Sequence, residues 1–311
     1  MKNYIGIDIG GTKCAVVKGN LNMGVIEKIR FDTVECAATL EKIYETVEKM
    51  LPADAIGVSC GGPLDEKRGI ILSPPNLLGW DEVHITEELE RRFKIPARLL
   101  NDANAGAVAE WKFGAGRGCE NMLFLTFGTG LGAGLILGGR LYSGTNGNAG
   151  EIGHIRLADV GPIGYGKAGS FEGFCSGGGI ARLAKSICKS ALDAGKPVGF
   201  ADTEERIEAI TTKMLAELAH SGDGDAKSIF DISAEKLGEG LSIVIDILNP
   251  ERIIIGGVYS RAVDLFADGM TRVLERETLA QSLIACKIMP AELGEEIGDI
   301  AALSAAILAT E

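Results

Sequence analysis

The chain has 311 residues, a length typical of about two domains. Hydrophobic residues make up 46% and charged residues 24%, which is a globular composition and excludes a disordered chain. The formal net charge is −12, and so acidic a surface argues against binding to nucleic acid or to an anionic membrane surface.

Strand-like and helix-like segments alternate along the chain, which predicts an α/β fold. The predicted strands and helices are, in order, strands at 4–9 and 14–18, a helix at 40–51, a strand at 55–60, a helix at 84–93, a strand at 97–102, a helix at 103–113, a strand at 122–127, a strand-like run at 135–139, helical stretches at 204–220 and 234–248, a strand with a glycine turn at 252–258, and a helix at 298–310. A strand, a glycine turn and a second strand occur at 4–18 and again at 122–137. The polar, glycine-rich residues 114–121 between these two units suggest a domain boundary.

The cysteines and the N-terminus bear on the cellular compartment. Seven cysteines, an odd number without a CxxC pair, predict reduced thiols rather than a disulfide framework. The segment MKNYIGIDIGGTK lacks the long apolar stretch of a secretion signal, and no run of about 18 apolar residues predicts a membrane span. We therefore expect a cytoplasmic protein.

Glycine turns are the most informative local feature. The run GTGLGAG (128–134) leads into a strand-like segment, which argues against a dinucleotide-binding fingerprint because that motif opens a helix. Two hairpins that each carry a threonine remain, DIGGTK (8–13) and Gly128-Thr129-Gly130, together with a turn at Gly256-Gly257. Each could be no more than a tight turn, but their joint occurrence favours binding of phosphate by backbone N–H groups.

Two sets of polar residues are candidates for catalysis or ligand binding. Asn101 and Asp102 end an apolar strand, where α/β folds place active-site groups, although a helix N-cap explains such residues equally well. Glu151, His154 and Glu172 lie in a glycine-rich region and could recognise hydroxyl groups or a metal. A histidine there could also be only a hydrogen-bonded structural residue.

Five motifs in order resemble those of the ROK family of bacterial sugar kinases and sugar-responsive repressors. They are DIGGTK (8–13), GVSCGGPLD (57–65), NDANAGAVAE (101–110), GTGLGAG (128–134) and GNAGEIGH (147–154). The resemblance implies a two-domain actin-like ATPase (RNase H-like) fold with an interdomain cleft. It also implies an N-terminal domain of residues 1–117, completed by the helix 299–311, and a larger domain of residues 118–298.

The resemblance also implies roles for single residues. Asp102 resembles the general base, and Asp8 resembles the residue that holds Mg²⁺ through water. The expected sugar ligands are Gly62, Asn101, Glu151, His154 and Glu172. The expected ATP ligands are Asp8, Gly10, Gly11, Thr12, Lys13, Gly128, Thr129, Gly130, Gly256 and Gly257.

One departure from the family pattern concerns zinc. Many ROK proteins hold a structural zinc ion with the GEIGH histidine and three cysteines, and in this chain Ile163, Tyr165 and Ser170 take the cysteine positions. None of the three supplies the thiolate that a closed structural zinc site requires. We predict no zinc, with Tyr165, Phe171 and Phe174 packing the loop in its place.

The implied activity is an ATP- and Mg²⁺-dependent hexose kinase that acts on the 6-hydroxyl, with glucose as the default substrate. N-acetylmannosamine, N-acetylglucosamine, fructose, allose and β-glucosides are alternatives. A non-catalytic sugar sensor is a second hypothesis, opposed by the intact Asp102 and both hairpins. A DNA-binding regulator is a third, opposed by the net charge of −12 and by a motif that begins at residue 8. We expect sugar, ATP and a second copy of the chain as partners, and neither nucleic acid nor membrane.

Overall fold

The computed structural model describes residues 2–20 and 24–311. The first part of the chain contains β1 (Tyr4–Ile9), β2 (Lys13–Asn20), β3 (Gly24–Asp32), α1 (Cys36–Met50), β4 (Ala55–Cys60), β5 (Leu64–Asp65), β6 (Ile70–Ile71), α2 (Ile85–Phe93), β7 (Ala97–Asn101) and α3 (Asp102–Phe113). The second part contains β8 (Met122–Phe127), β9 (Leu131–Leu137), β10 (Arg140–Leu141), β11 (Ile163–Gly164), β12 (Lys167–Ala168), α4 (Phe171–Phe174), α5 (Gly177–Asp193), α6 (Glu204–Glu208), α7 (Thr212–His220), α8 (Gly224–Leu248), β13 (Arg252–Ile255), α9 (Val258–Arg261), α10 (Val263–Glu277), α11 (Ala280–Ala285), β14 (Lys287–Pro290) and α12 (Ile297–Leu308). Short 3₁₀ turns lie at Ile152–His154 and Gly294–Glu296.

The chain divides into two compact units. Unit 1 comprises residues 1–120, 134–149 and 292–311, and unit 2 comprises residues 121–133 and 150–291. The predicted domain of residues 1–117 includes residue 1 and residues 21–23, which lie outside the described residues. The domain bounds given in the sequence analysis stay a prediction.

Unit 1 is built on a five-stranded sheet of order β3-β2-β1-β4-β7. The pairs β1–β2 and β2–β3 are antiparallel, whereas β1–β4 and β4–β7 are parallel. Because β1, β4 and β7 are parallel, the residues that follow Ile9, Cys60 and Asn101 all lie at one edge of the sheet. That edge is where parallel sheets place functional groups.

The two faces of this sheet pack differently. One face buries Ile5, Ile7 and Val58 in an apolar core with α1. The other face carries α12 in direct contact with the strands, because a Cβ at Gly57 would lie 2.1 Å from the carbonyl oxygen of Ala302. Glycine in β4 therefore sets how closely the C-terminal helix approaches the sheet.

The second sheet has the order β10-β9-β8-β13-β14, in which β13 pairs in parallel with β8 on one side and with β14 on the other. Strand β9 begins in unit 2 and ends in unit 1.

In unit 2 the long helix α8 packs along α10, where a Cβ at Gly238 would lie 2.7 Å from Cβ of Val273. No helix within the described residues is long and apolar enough to cross a membrane.

Most predicted elements are present within a few residues of their predicted ends, including both strand–glycine–strand units. The helical stretch predicted at 204–220 is two helices, α6 and α7, and the helix predicted at 234–248 begins earlier, at Gly224. All seven cysteines are free thiols.

Candidate active site

The turn between β1 and β2 is held from behind by Thr33. The hydroxyl of Thr33 donates to the carbonyl oxygen of Gly10 (2.6 Å), and its N–H donates to that of Thr12 (2.9 Å). A Cβ at Gly11 would lie 2.6 Å from the carbonyl oxygen of Asn76, so only glycine fits there. Among the described residues, none accepts a hydrogen bond from the N–H groups of Gly11 and Thr12.

The turn between β8 and β9 has the same design in unit 2. The first residues of α5 hold it from behind, because Gly177 N–H donates to the Gly128 carbonyl (2.7 Å) and Gly178 N–H donates to the Thr129 carbonyl (3.3 Å). The N–H groups of Thr129 and Gly130 likewise donate to no acceptor in the described part of the chain. In both hairpins, carbonyl oxygens thus accept hydrogen bonds from neighbouring segments, and N–H groups remain available to bind an anion.

The third glycine turn lies directly against the second hairpin. Gly257 has a φ of +65°, and a Cβ there would lie 2.1 Å from the carbonyl oxygen of Phe127. Gly256 N–H donates to the Leu125 carbonyl (2.9 Å), which fixes the turn beside β8. Unit 2 therefore brings Gly128, Thr129 and Gly130 together with Gly256 and Gly257, all of which are predicted ATP ligands.

The end of β7 carries the predicted base. Asn101 is the N-cap of α3, where its Oδ1 accepts from Ala103 N–H (2.9 Å). Asp102 follows as the first helical residue with an exposed side chain, and a Cβ at Gly62 would lie 3.5 Å from Asn101 Nδ2. The N-cap explanation is therefore correct for Asn101, and it leaves the side-chain amide group facing Gly62.

Asp8 lies on β1 under the influence of four charges. Burial is the main cause that raises its pKa from 3.8 to about 6, and the nearby carboxylates of Asp299 and Asp102 raise it further. Lys28 and Arg30 lower it, and Lys28 forms an ion pair with Asp299. Asp8, predicted to hold the metal ion, and Asp102, predicted to be the general base, thus interact electrostatically within unit 1.

The raised pKa predicts a pH-dependent gain in stability for Asp8→Asn. A rise from 3.8 to about 6 means that charged Asp8 costs about 3 kcal/mol when both folded and unfolded states are ionised. We expect the variant to unfold with a free energy about 2–3 kcal/mol higher near neutral pH. This advantage should shrink as pH falls from about 6 towards 3.8, because wild-type Asp8 then takes up a proton in the folded state. Urea denaturation across this range measures it, and a pH-independent difference would contradict the prediction.

Glu172 links the predicted sugar group to the second hairpin. It lies in the first turn of α4, and its Oε2 accepts from Leu131 N–H (3.1 Å), the residue after Gly130. His154 packs edge-on against Tyr165 with 5.0 Å between ring centroids, and its carbonyl accepts from Lys167 Nζ (2.6 Å). Glu151 is the N-cap of the 3₁₀ turn that ends at His154, and its side chain is exposed.

The loop at the family's zinc position is folded by other residues. Ser170 caps α4 by accepting from Gly173 N–H (3.1 Å), and Phe171 and Phe174 are buried as predicted. The packing predicted for Tyr165 is wrong, since its side chain is 67% exposed and its ring rests on His154 rather than in the loop. Within residues 2–20 and 24–311 there is no group of three or more His, Cys, Asp or Glu that could hold a metal ion.

Sequence reasoning missed three features of the site. Gly177 and Gly178 hold the second hairpin, and the exposed Arg182 lies beside Gly178, since a Cβ at Gly178 would lie 3.0 Å from Arg182 Nη1. Their signal was the run SGGG (176–179) at the start of a helix. Glu66, between β5 and β6, accepts hydrogen bonds from Asn101 and Asn104, and no local pattern marks it.

The predicted site residues fall into two groups, one in each unit. Unit 1 holds Asp8, Gly10, Gly11, Thr12, Lys13, Gly62, Asn101 and Asp102, and unit 2 holds Gly128, Thr129, Gly130, Glu151, His154, Glu172, Gly256 and Gly257.

Similarity to known proteins decides the family. The profile of the ROK family matches residues 4–311. This chain belongs to the ROK family. A glucokinase of Halalkalibacterium halodurans is 32% identical over 310 residues, which cover 96% of this chain and 92% of that protein.

Two further relatives carry names of different functions, one a kinase and one a repressor. A ROK family glucokinase from Streptomyces griseus, solved in complex with glucose and AMPPNP, matches with a TM-score of 0.78 at 30% identity, covering 98% of this chain and 99% of that one. A xylose repressor of Caldicellulosiruptor bescii is 27% identical, covering 94% of this chain and 74% of that protein. The predicted membership and the actin-like ATPase (RNase H-like) fold of the ROK family are confirmed, and the glucokinase relatives support a sugar kinase.

Proposed function

We propose that the protein is an ATP-dependent sugar kinase that transfers the γ-phosphoryl group to the 6-hydroxyl of a hexose, with glucose as the first candidate. The observation that carries the proposal is the pair of glycine hairpins whose carbonyl oxygens are hydrogen-bonded to neighbouring segments. Their N–H groups at Gly11, Thr12, Thr129 and Gly130 have no acceptor in the described residues. Such groups suit the oxygens of a polyphosphate. The relative solved with glucose and AMPPNP supports the same ligands.

In this proposal the residues of unit 1 supply the base. The hydroxyl oxygen of the sugar attacks the γ-phosphorus, the bond from that phosphorus to the β–γ bridging oxygen breaks, and ADP leaves. The hydroxyl proton passes to the exposed carboxylate of Asp102. Asn101 and Gly62, which lie next to each other, hold the sugar on this side.

The remaining residues hold the two substrates. The sugar hydroxyls exchange hydrogen bonds with Glu151, His154 and Glu172. An analogue that lacks one hydroxyl would leave one of these side chains unpaired and would be rejected. The three glycine turns, with Lys13 beside the first, hold ATP. Because Glu172 also accepts a hydrogen bond from Leu131 N–H, this predicted sugar-binding residue is attached directly to the second hairpin.

The carboxylate of Asp8 fits a magnesium ion held through water, since the described residues offer no group of three or more acidic side chains for direct coordination. The Asp8 carboxylate lies near the negative charges of Asp299 and Asp102, so a divalent cation would reduce their repulsion. Proteins usually bind Mg²⁺ through one or two carboxylates together with water and substrate phosphates. When bound, Mg²⁺ would neutralise charge on the phosphates of ATP.

Other functions fit the same family. The sugar could instead be N-acetylmannosamine, N-acetylglucosamine, fructose, allose or a β-glucoside. A sugar-sensing regulator without turnover is the second candidate, favoured by the similarity to a xylose repressor. A homodimer and a cytoplasmic location stay predictions.

Release of ADP from ATP and Mg²⁺ across a sugar panel tests the proposal. The panel holds glucose, both N-acetylhexosamines, mannose, fructose, allose and cellobiose, with 6-deoxyglucose as the matched control for glucose. We expect one sugar to reach a kcat/KM of about 10⁴ M⁻¹s⁻¹ or more, and 6-deoxyglucose to bind without turnover. Turnover of 6-deoxyglucose would refute the 6-hydroxyl. Sugar binding in a thermal-shift assay without any turnover would favour the sensor.

A further inference from the structure

Glu66 connects three separate parts of unit 1. It lies between β5 and β6, and its Oε1 accepts from the backbone N–H of Asn101 (2.7 Å) and from Asn104 Nδ2 (2.8 Å). Its Oε2 accepts from the hydroxyl of Ser143 (3.1 Å). One carboxylate therefore connects the hairpin formed by β5 and β6, called the hairpin below, to the end of β7, to the first turn of α3 and to the segment after β10.

A second contact strengthens the link between the hairpin and the segment after β10. Lys67, the next residue, donates from Nζ to the carbonyl oxygen of Thr145 (2.7 Å). Ser143 and Thr145 belong to the unit 1 segment 134–149, and Glu151 follows two residues after that segment ends. The hairpin thus holds the chain just before a predicted sugar ligand.

The donors to Glu66 lie on both sides of Asp102 in the chain. Asn101 precedes Asp102 and caps α3, and Asn104 follows two residues later with its side chain 98% buried. The Asn104 amide can meet the carboxylate only with Nδ2, and its Oδ1 then has no hydrogen-bond donor among the described residues. Glu66 therefore fixes both the strand end and the first helical turn between which Asp102 projects.

We propose that Glu66 is a positioning residue for the general base, acting through Asn101 and Asn104 on the direction of the Asp102 side chain. This inference rests on the proposed kinase function. Glu66 itself accepts no proton from the substrate. Its task is to accept hydrogen bonds, so that the junction of β7 and α3 holds one geometry while the sugar hydroxyl loses its proton.

This role makes a specific demand on the side chain. A glutamine at position 66 keeps the length and one carbonyl oxygen, which can accept from both Asn101 and Asn104. Its amide group can donate to the hydroxyl oxygen of Ser143, because a hydroxyl both donates and accepts. An alanine removes all three contacts and leaves the buried amide of Asn104 without its acceptor.

The matched control is Glu90, which holds the opposite end of the same strand. Its Oε1 accepts from the backbone N–H of Ala97 (3.0 Å), the first residue of β7. Loss of this contact should weaken β7 as a structural element without changing the junction that carries Asp102. A purely structural effect of Glu66 would therefore appear in Glu90→Ala as well.

The test compares Glu66→Ala, Glu66→Gln and Glu90→Ala in the ADP-release assay on the sugar that wild type turns over. Because a misplacement of about 1 Å can cost about 10²-fold, we expect Glu66→Ala to lower kcat by about that factor, with KM for sugar and ATP within about threefold. Glu66→Gln and Glu90→Ala should keep kcat within about threefold of wild type. Wild-type kcat in Glu66→Ala, or equal losses in the Ala and Gln variants, would overturn the positioning role.

Hydrogen exchange gives a readout that does not depend on turnover. Glu66→Ala should speed exchange of the backbone N–H groups of Asn101 and Ala103, whereas Glu90→Ala should speed that of Ala97 alone. If wild type turns over no sugar and this exchange pattern is found, the kinase proposal fails while the control of the junction by Glu66 stands. Unchanged exchange at Asn101 and Ala103 would overturn the inference in either case.

Discussion

Asp102→Asn is expected to lower kcat by about 10²- to 10⁴-fold, the usual contribution of a general base, while sugar affinity stays within a few fold. Asparagine has the shape of aspartate and can still start α3, so the N-cap at Asn101 and its bond to Ala103 N–H are kept. What is lost is the ability to accept a proton. Steady-state rates of ADP release, with sugar affinity from isothermal titration calorimetry, separate the two effects.

Asp54→Asn is the matched control for this variant. Asp54 lies at the opposite edge of the same sheet, where its Oδ2 accepts from Asn3 N–H (2.8 Å) and its side chain is exposed. The same change of charge there should leave kcat and KM unchanged. Retained turnover in Asp102→Asn would show that another group accepts the proton, and a matching loss in Asp54→Asn would point to net charge.

The parts of the fold with local signals were predictable from sequence. A glycine turn between two apolar, strand-like runs predicts a hairpin, so both strand–glycine–strand units were found. The split of 204–220 into α6 and α7 was missed because both helices continue one apolar stripe. Thr203 is the N-cap of α6, and Thr211, the N-cap of α7, separates the two helices; each accepts a hydrogen bond from the backbone N–H three residues on.

The residues of the candidate site were less visible than its motifs. Asn101 could be placed at a strand end, but its partner Glu66 lies 35 residues earlier and only the folded sheet brings the two together. Gly177 was missed for the same reason, since it holds Gly128 from 49 residues further along the chain. Local periodicity finds elements and turns, whereas contacts between distant segments need the fold.

Glu110 is a buried carboxylate of unit 1 that accepts hydrogen bonds from two distant parts of the chain. Its side chain is fully buried, its Oε2 accepts from Ala115 N–H (2.8 Å), and its Oε1 accepts from Leu293 N–H (2.9 Å). A Cβ at Gly114 would lie 2.0 Å from Oε2, so glycine is required to let the chain turn around the carboxylate. Glu110 thus joins the end of α3 to the segment that leads into α12.

Glu110→Ala is expected to lower the free energy of unfolding by about 3–5 kcal/mol, because the buried N–H of Ala115 and the partly buried N–H of Leu293 both lose a charged acceptor. Glu292→Ala is the matched control, since Glu292 precedes Leu293 but pairs with Arg117 at the surface, where both side chains are more than half exposed. An exposed ion pair contributes about 1 kcal/mol or less. Urea denaturation of both variants measures the difference. Equal losses would show that the segment at 292–293, rather than the buried carboxylate, carries the stability.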